Sequence, residues 1–326
     1  MTDFSSHQVV DAIAARRAER RTFLRYAGGA AAASGGLALL SACGGSNTGN
    51  TPAPSPSASA TDLTGDFNVL NFALNLEYLE AQFYSYAAYG TGLSAGLTGG
   101  VGTLGTVTGG QKATLSDTVT KYAREIAADE AAHVGFLRAT IGSSAIAMPA
   151  INIGGDANGA FTAAALAAGL IQQGQTFNPY ASDVNFLLAA FLLEDVGVSA
   201  YKGAAPLLQT KVYIEAAAGI LATEAYHAGL IRTLLYRQGV STNTIFAQVQ
   251  QLSDARDSLD GVPDIDQGIG NATTSNIVPT DSNGIVFSRS TGQVLNIAYL
   301  NRSQVKSGGF FPSGVNGTIF NSASNG

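Results

Sequence analysis

The sequence predicts an all-α protein: a four-helix bundle with one long crossover between its second and third helices, then a fifth helix and an irregular C-terminal tail. Three observations carry that prediction. Apolar residues recur at three- and four-residue spacing through four long segments of the 326-residue chain. The connections are unequal, short between the third and fourth segments and longest between the second and third. One phrase occurs twice, as DEAAHVGFLR at 129–138 and TEAYHAGLIR at 223–232, and each copy places Glu-x-x-His-x-Gly inside an otherwise apolar helical stretch.

Residues 1–43 read as a leader, apart from the fold. Arg20-Arg21-Thr22-Phe23-Leu24 precedes an Ala/Gly/Leu run that ends in Leu40-Ser41-Ala42-Cys43. A basic start, a short apolar segment and small residues before a cut describe an export signal. Arg-Arg-x-Phe-Leu resembles a twin-arginine signal, with Glu19 where Ser or Thr is more usual. Leu-Ser-Ala-Cys resembles a bacterial lipobox, in which the cysteine is lipidated. The expectation is an exported cell-envelope lipoprotein, anchored to a membrane through Cys43 and facing the periplasm or the cell exterior. Cys43 is the single cysteine, so no intrachain disulfide forms. Residues 44–61 are Gly, Ser, Pro, Thr, Asn and Ala without charge, a flexible linker with a reach of about 20–25 Å.

The bundle is expected over 62–240. Its first helix covers 66–89 and closes at Gly90; its second covers 112–140 and stops at Gly142. The third, 182–203, has Ser182-Asp183 as its cap, and the fourth, 210–238, ends at Gly239. A Gly/Thr-rich loop at 90–111 joins the first pair, and the crossover holds a small helix at 159–172. The C-terminal region, 241–326, opens with a fifth helix at 243–258. It then turns Gly-, Asn- and Ser-rich with short apolar runs, which reads as a cap packed on the bundle.

Composition narrows the function. With 46% hydrophobic and 12% charged residues, the chain has the material for a sizeable core. Without residues 1–42 it carries 12 basic and 20 acidic residues, a net charge of −8. No basic stripe remains, which excludes nucleic acid as a partner. No segment past the leader reads as long and apolar enough to cross a bilayer.

The chemistry lies in the repeated phrase. Two of only three histidines, His133 and His227, sit three residues after Glu130 and Glu224. Residues three apart share a helix face, so each pair offers one carboxylate and one imidazole together. That mixture suits iron, manganese or zinc. The other two helices supply carboxylates within apolar runs: Glu77 and Glu80 on the first, Glu194 on the third. A buried charge without a partner costs several kcal/mol, and a metal ion removes that cost. Tyr84 follows Glu77 by seven residues, as Tyr201 follows Glu194, so each tyrosine lies two turns along the face of its own glutamate. The halves read as a duplicated helix pair. A competing alignment, Leu70-Asn71-Phe72 on Val184-Asn185-Phe186, sets Glu80 opposite Glu194 and keeps both first-helix glutamates in play. Asp129 and Asp195 adjoin the glutamates but face about 100° away. Gly135 and Gly229 read as close helix contacts, and Arg138 and Arg232 as solvated helix-end charges or, alternatively, as partners of acids near the bundle end.

This pattern resembles the ferritin-like superfamily of di-iron carboxylate proteins, built as bundles with one long crossover and a site of one Glu from each of two helices plus Glu-x-x-His from two more. Within it the chain is similar to the desiccation-related ferritin-like proteins in NLEYLEAQFY, FLLEDVGVSAYKGA, NIVPTDSNG and GGFFPSGVNG, over roughly 62–320. The resemblance implies two metal ions, iron foremost, with manganese or a mixed Mn/Fe pair as alternatives. Glu130 and Glu224 would bridge them, His133 and His227 would each hold one, and Glu194 with Glu77 or Glu80 would be terminal. Tyr84 and Tyr201 would bond ligand carboxylates or lie close enough to be oxidised. The implied partners are metal ions with O2 or peroxide; a homodimer fits this reading. As an enzyme the protein would be a di-iron oxidoreductase, an oxidase, ferroxidase or peroxide scavenger in desiccation or oxidative stress. Non-enzymatic protection of the envelope during drying, and metal sequestration without turnover, are the alternatives.

Overall fold

The computed structural model describes residues 60–325, so the leader with Cys43 and most of the linker lie outside the described residues. Helices α1 (Ala60–Tyr89), α2 (Asp117–Ile141), α4 (Asp183–Ala204) and α5 (Lys211–Ser241) form the bundle, and α3 (Ala160–Ala167) interrupts the crossover. α6 (Thr244–Asp260) follows α5 after a short turn, and α7 (Thr291–Ala298) is a helix within the tail that the sequence reading did not contain. The expected all-α bundle with one long crossover is what the chain forms.

Side-chain pairs give the directions. Tyr78 and Tyr89 on α1 meet Arg138 and Arg124 on α2, so the two run antiparallel. Tyr84 reaches Glu194 while Tyr201 reaches Glu77, so α1 and α4 are antiparallel too. A two-residue parallel pairing, β1 (Val107–Thr108) with β2 (Ile151–Asn152), ties the α1–α2 loop to the crossover.

The helix ends follow local chemistry. Ser116 and Ser182 cap α2 and α4, their hydroxyls accepting from the amides of Val119 and Asn185. α1 closes at Gly90 and α2 at Gly142, both in the left-handed region at φ 80° and 67°. Four boundaries differ from the sequence reading by more than two residues. α2 begins at Asp117 instead of 112, and α3 ends at Ala167 instead of 172. α1 starts at Ala60, inside the stretch read as linker, and α5 runs through Gly239 instead of stopping there. A Cβ at Gly239 would lie 2.8 Å from the Phe246 ring, so this glycine admits the first turn of α6 and is no stop signal.

The four bundle helices are not alike. α2 and α5 bury one stripe at three- and four-residue spacing, Val119, Ala123, Ile126, Glu130, His133 and Leu137 on α2. α1 and α4 are buried nearly all round, because the crossover and the tail cover the faces they would otherwise present to water. That explains a departure from expectation. Extended to Leu207, α4 is long and apolar enough to cross a membrane, but 89% of its apolar window is buried inside the protein, as a core helix must be.

The tail is fixed by directed bonds. Asn316 donates its amide to Asn75 Oδ1 at 3.0 Å and accepts from Asn75 Nδ2 at 2.9 Å. Its side-chain amide reaches the carbonyls of Thr103 and Ala147, both at 2.8 Å, so one residue joins α1, the first loop and the crossover. Phe310 stacks edge-on against Phe161 of α3, with ring centroids 5.0 Å apart. The GGFFPSGVNG segment is thus a clasp over α1.

Candidate metal centre

The two buried stripes bring the repeated phrases face to face across the bundle. Glu130 and Glu224 are fully buried, and His133 and His227 are nearly so. His133 Nδ1 lies 3.2 Å from Glu77 Oε2, 3.4 Å from Glu130 Oε2 and 3.6 Å from Glu224 Oε1. His227 Nδ1 lies 2.9 Å from Glu130 Oε1 and 3.6 Å from Glu194 Oε2. The imidazole centroids are 6.4 Å apart. Two sets of donor atoms result, Glu77, Glu130, His133 and Glu224 in one and Glu130, Glu194, Glu224 and His227 in the other, the atoms of each within 4.8 Å of one another. Glu130 and Glu224 belong to both.

This donor set fits metal ions for a reason visible in the structure. Both carboxylate oxygens of Glu130 and of Glu224, Glu194 Oε2 and His227 Nδ1 are buried with no hydrogen-bond partner. His227 Nδ1 approaches Glu130 at 2.9 Å as an ion pair without a well-directed hydrogen bond, and the carboxylate oxygens converge on shared space. Buried polar atoms are rarely left so, each costing about 1–3 kcal/mol. Oxygen and imidazole nitrogen together suit iron, manganese or zinc.

The electrostatics agree. Burial, opposed by His133, raises Glu77 to about 7. Burial and the repulsion of neighbouring glutamates push Glu224 well above the usual carboxylate range, and burial raises Glu194. Burial would raise Glu130 as well, but its contacts with His133 and His227 hold it at about 2. Burial works against protonation of the histidines, yet Glu77 and Glu130 lift His133 to about 11, and Asp129, Glu130 and Glu194 lift His227 to about 12. Metal-free, the cluster is balanced only by protons it holds tightly.

The supporting groups are placed as follows. Tyr84 donates its hydroxyl to Glu194, and Tyr201 donates to Glu77. The sequence reading put each tyrosine beneath its own glutamate; antiparallel α1 and α4 instead bring each to the glutamate of the other half. Glu77 and Glu194 occupy equivalent places. Glu80, one turn along α1, lies outside both donor sets and is buried beside Gly197 of α4. Burial and the repulsion of Glu130, Glu194 and Glu77 push it well above its ordinary range. Asp129 Oδ2 is 3.4 Å from His227 Nε2 and so holds the outer face of that ring.

Two expectations are decided here. Gly135 and Gly229 make no close helix contact: a Cβ would be 3.9 Å from Leu97 at the first and meet nothing within 4 Å at the second. The glycine that matters is Gly197, where a Cβ would lie 2.4 Å from Glu224 Oε2. Of the two readings of the arginines, pairing with an acid holds for Arg232 and solvation at a helix end for neither. Arg138 donates to Tyr78 Oη at 2.6 Å and to the Gly99 carbonyl at 2.5 Å. Arg232 is fully buried, bonds Asp195 at 2.7 Å, and spends its other donors on the carbonyls of Gln267, Gly268, Asn276 and Ile277. It reads the tail backbone, which explains why NIVPTDSNG accompanies the bundle.

A second ionic network went unread in the sequence. Arg256 bonds Asp195 at 3.0 Å and Asp266 at 2.8 Å, and Arg289 bonds Asp260 at 2.7 Å and also Asp266. The signal available was a set of arginines and aspartates in and after α6 at no regular spacing, which only the tail's path brings together.

Residues 65–237 match the profile of the ferritin-like domain family. The chain is similar to the ferritin-like catalase Nec2 of Nesocodon mauritianus, 28% identical over 271 residues, 78% of this chain and 84% of that protein. It is also similar to the desiccation-related protein PCC13-62 of Craterostigma plantagineum, 29% identical over 247 residues, 71% of this chain and 76% of that protein. No solved structure matches at a significant level. A profile match over more than half of the chain, on the helices that build the carboxylate–histidine cluster, establishes that the protein belongs to the ferritin-like domain family.

Proposed function

We propose that the protein binds a pair of iron or manganese ions in the α1/α2/α4/α5 cluster and consumes hydrogen peroxide there. The observation that carries this reading is the convergence of unpartnered, buried carboxylate and imidazole atoms into two donor sets sharing Glu130 and Glu224. The printed name of one relative, a ferritin-like catalase, supports the choice of peroxide. When bound, such an ion pair supplies the two-electron couple by which one peroxide is oxidised to O2 while a second is reduced to two waters. Glu130 and Glu224 would bridge the pair, Glu77 and Glu194 would close its ends, and His133 and His227 would hold one ion each. Tyr201 and Tyr84 fix the end carboxylates by donated hydrogen bonds, so these need no reorganisation during turnover. Asp129 keeps the outer nitrogen of His227 engaged and turns Nδ1 inward. The apolar faces of α1 and α4 exclude bulk water.

The test is direct. Chain 44–326, loaded with iron or manganese, should bind metal and release O2 from peroxide at an oxygen electrode. Glu130→Ala with Glu224→Ala should lower metal uptake at least tenfold and abolish O2 release. A wild-type chain that takes up neither metal would sink the proposal.

A second reading, protection of the envelope during drying without turnover, is favoured by the other relative, named a desiccation-related protein. Survival of drying that is unaffected by the same double variant would select it. Export and lipid anchoring through Cys43 belong to the proposal as well: Cys43→Ala should move the protein from the membrane to the soluble fraction.

A further inference from the structure

A small cavity lies between α1, α4, α7 and the tail, lined by Leu76, Leu79, Leu192, Val196, Ile297 and other apolar groups. Its one charged wall residue is Glu80, and Gly197 lies beside it. The same glycine stands against the metal cluster: the side chain it lacks would come 2.4 Å from Glu224 Oε2 and 3.3 Å from Glu80 Oε1. The cavity therefore abuts the donor set where α4 has no side chain. It is small, with room for roughly two water-sized molecules.

We propose that this cavity is the vestibule in which hydrogen peroxide waits beside the metal centre, bonded to Glu80. The proposal rests on the peroxide-consuming reading above and names the place where that substrate is selected. Size comes first: the space suits a molecule of two heavy atoms better than a bulky alkyl peroxide. Charge comes second: apolar walls disfavour metal cations and anions, which lose hydration with nothing to replace it. The third element is the single carboxyl, which offers hydrogen bonding to a neutral guest carrying O–H donors. The α7 and Phe310 walls give the tail a role, since without them the crevice between α1 and α4 would lie open.

The test fills or enlarges the vestibule from the tail side, away from every donor to the metal. Ala298→Leu should lower kcat/KM for hydrogen peroxide at least tenfold, with metal content and secondary structure unchanged. Ile297→Ala should raise turnover of tert-butyl hydroperoxide relative to hydrogen peroxide about tenfold. Independently of turnover, crystals of the metal-free wild type under krypton should show a gas atom in the cavity, and Ala298→Leu crystals should not. Peroxide turnover in the wild type that Ala298→Leu leaves within twofold overturns the vestibule alone, as does krypton exclusion from the wild-type cavity. A metal-loaded wild type that leaves peroxide untouched overturns the functional reading and the vestibule together.

Discussion

The α1/α2 half and the α4/α5 half place Glu77, Tyr84, Glu130 and His133 against Glu194, Tyr201, Glu224 and His227, and in that layer they are equivalent. One layer out they part. Where α1 has Glu80, α4 has Gly197; where α2 has Asp129, α5 has Thr223; where α2 has Arg138, held by a tyrosine and carbonyls, α5 has Arg232, clamped by Asp195 and the tail. The donor atoms are matched, as the proposed pair of ions would require of its two cages. The surroundings are not, and the tail covers them unequally. The difference teaches that the duplicated layer would set metal binding, and the unduplicated layer would set access, stability and the inequality of the two ions.

The largest break in symmetry should come from the arginines. Arg232→Met leaves Asp195 with one guanidinium in place of two and several tail carbonyls unpaired, an expected cost of about 3–5 kcal/mol. Arg138→Met removes bonds to neutral, half-buried acceptors and should cost about 1–2 kcal/mol. Urea unfolding of the metal-free proteins measures both, and equal losses would erase the distinction.

Next in size is a pH effect that both halves share. In the metal-free site His133 and His227 are raised to about 11 and 12, so both imidazoles hold a proton at neutral pH. A ligating imidazole must be neutral, so metal binding releases those protons and its affinity rises with pH. The two imidazole protons alone give a change of about 2.7 kcal/mol, or roughly a hundredfold, per pH unit between pH 6 and 9, and the carboxyls that burial raises add to it at the lower end of that range. Without metal the sign reverses: the histidines' stabilisation is full below pH 6.5 and is lost as pH climbs through 11 to 12. Calorimetry in buffers of different ionisation heat counts the protons, and none released would refute this charge state.

The glycines come third. Gly197→Ala pushes a methyl against Glu224 and should cost about 1–3 kcal/mol, with metal affinity falling at least tenfold. Gly229→Ala meets open space in mid-helix and should stabilise by up to about 1 kcal/mol with affinity intact. Asp129→Asn follows, an expected loss of about tenfold in metal affinity through the orientation of His227. Thr223→Val in the matching position should change it less than twofold, since the Thr223 hydroxyl bonds the Gly219 carbonyl one turn back.

How far the sequence could be read follows the same division. Glu130, His133, Glu224 and His227 were legible because a polar pair at helical spacing inside an apolar stripe is costly to bury without a ligand, and this chain writes it twice. The four helices were legible from the same periodicity. The choice between Glu77 and Glu80 was not, because both lie on a helix buried nearly all round, where periodicity does not fix the rotation; packing on α4 is what groups Glu77 with the other donors. The burial of Arg232 was hidden for a related reason: its partners are backbone carbonyls of a tail with no periodic pattern. Gly197 went unnoticed because a missing side chain has meaning only once Glu224 is known to occupy its space. Local spacing carries information about one helix, whereas coverage by a distant segment leaves no mark on that spacing.

The smallest prediction tests the symmetry where it should hold. Tyr84 and Tyr201 each donate a buried hydrogen bond to the end carboxylate of the opposite half, and burial pushes both hydroxyls well above their ordinary range, which keeps them protonated donors. Tyr84→Phe and Tyr201→Phe should each cost about 1–2 kcal/mol, between the values of a hydrogen bond to a neutral and to a charged acceptor because burial raises both carboxyls, and the two costs should agree within about 0.5 kcal/mol. The double variant should be additive, because the two bonds lie at opposite ends of the cluster and share no atom. Unequal costs would mean that Glu80, present in one half alone, has already unbalanced the inner layer, and Glu80→Gly should then restore equality.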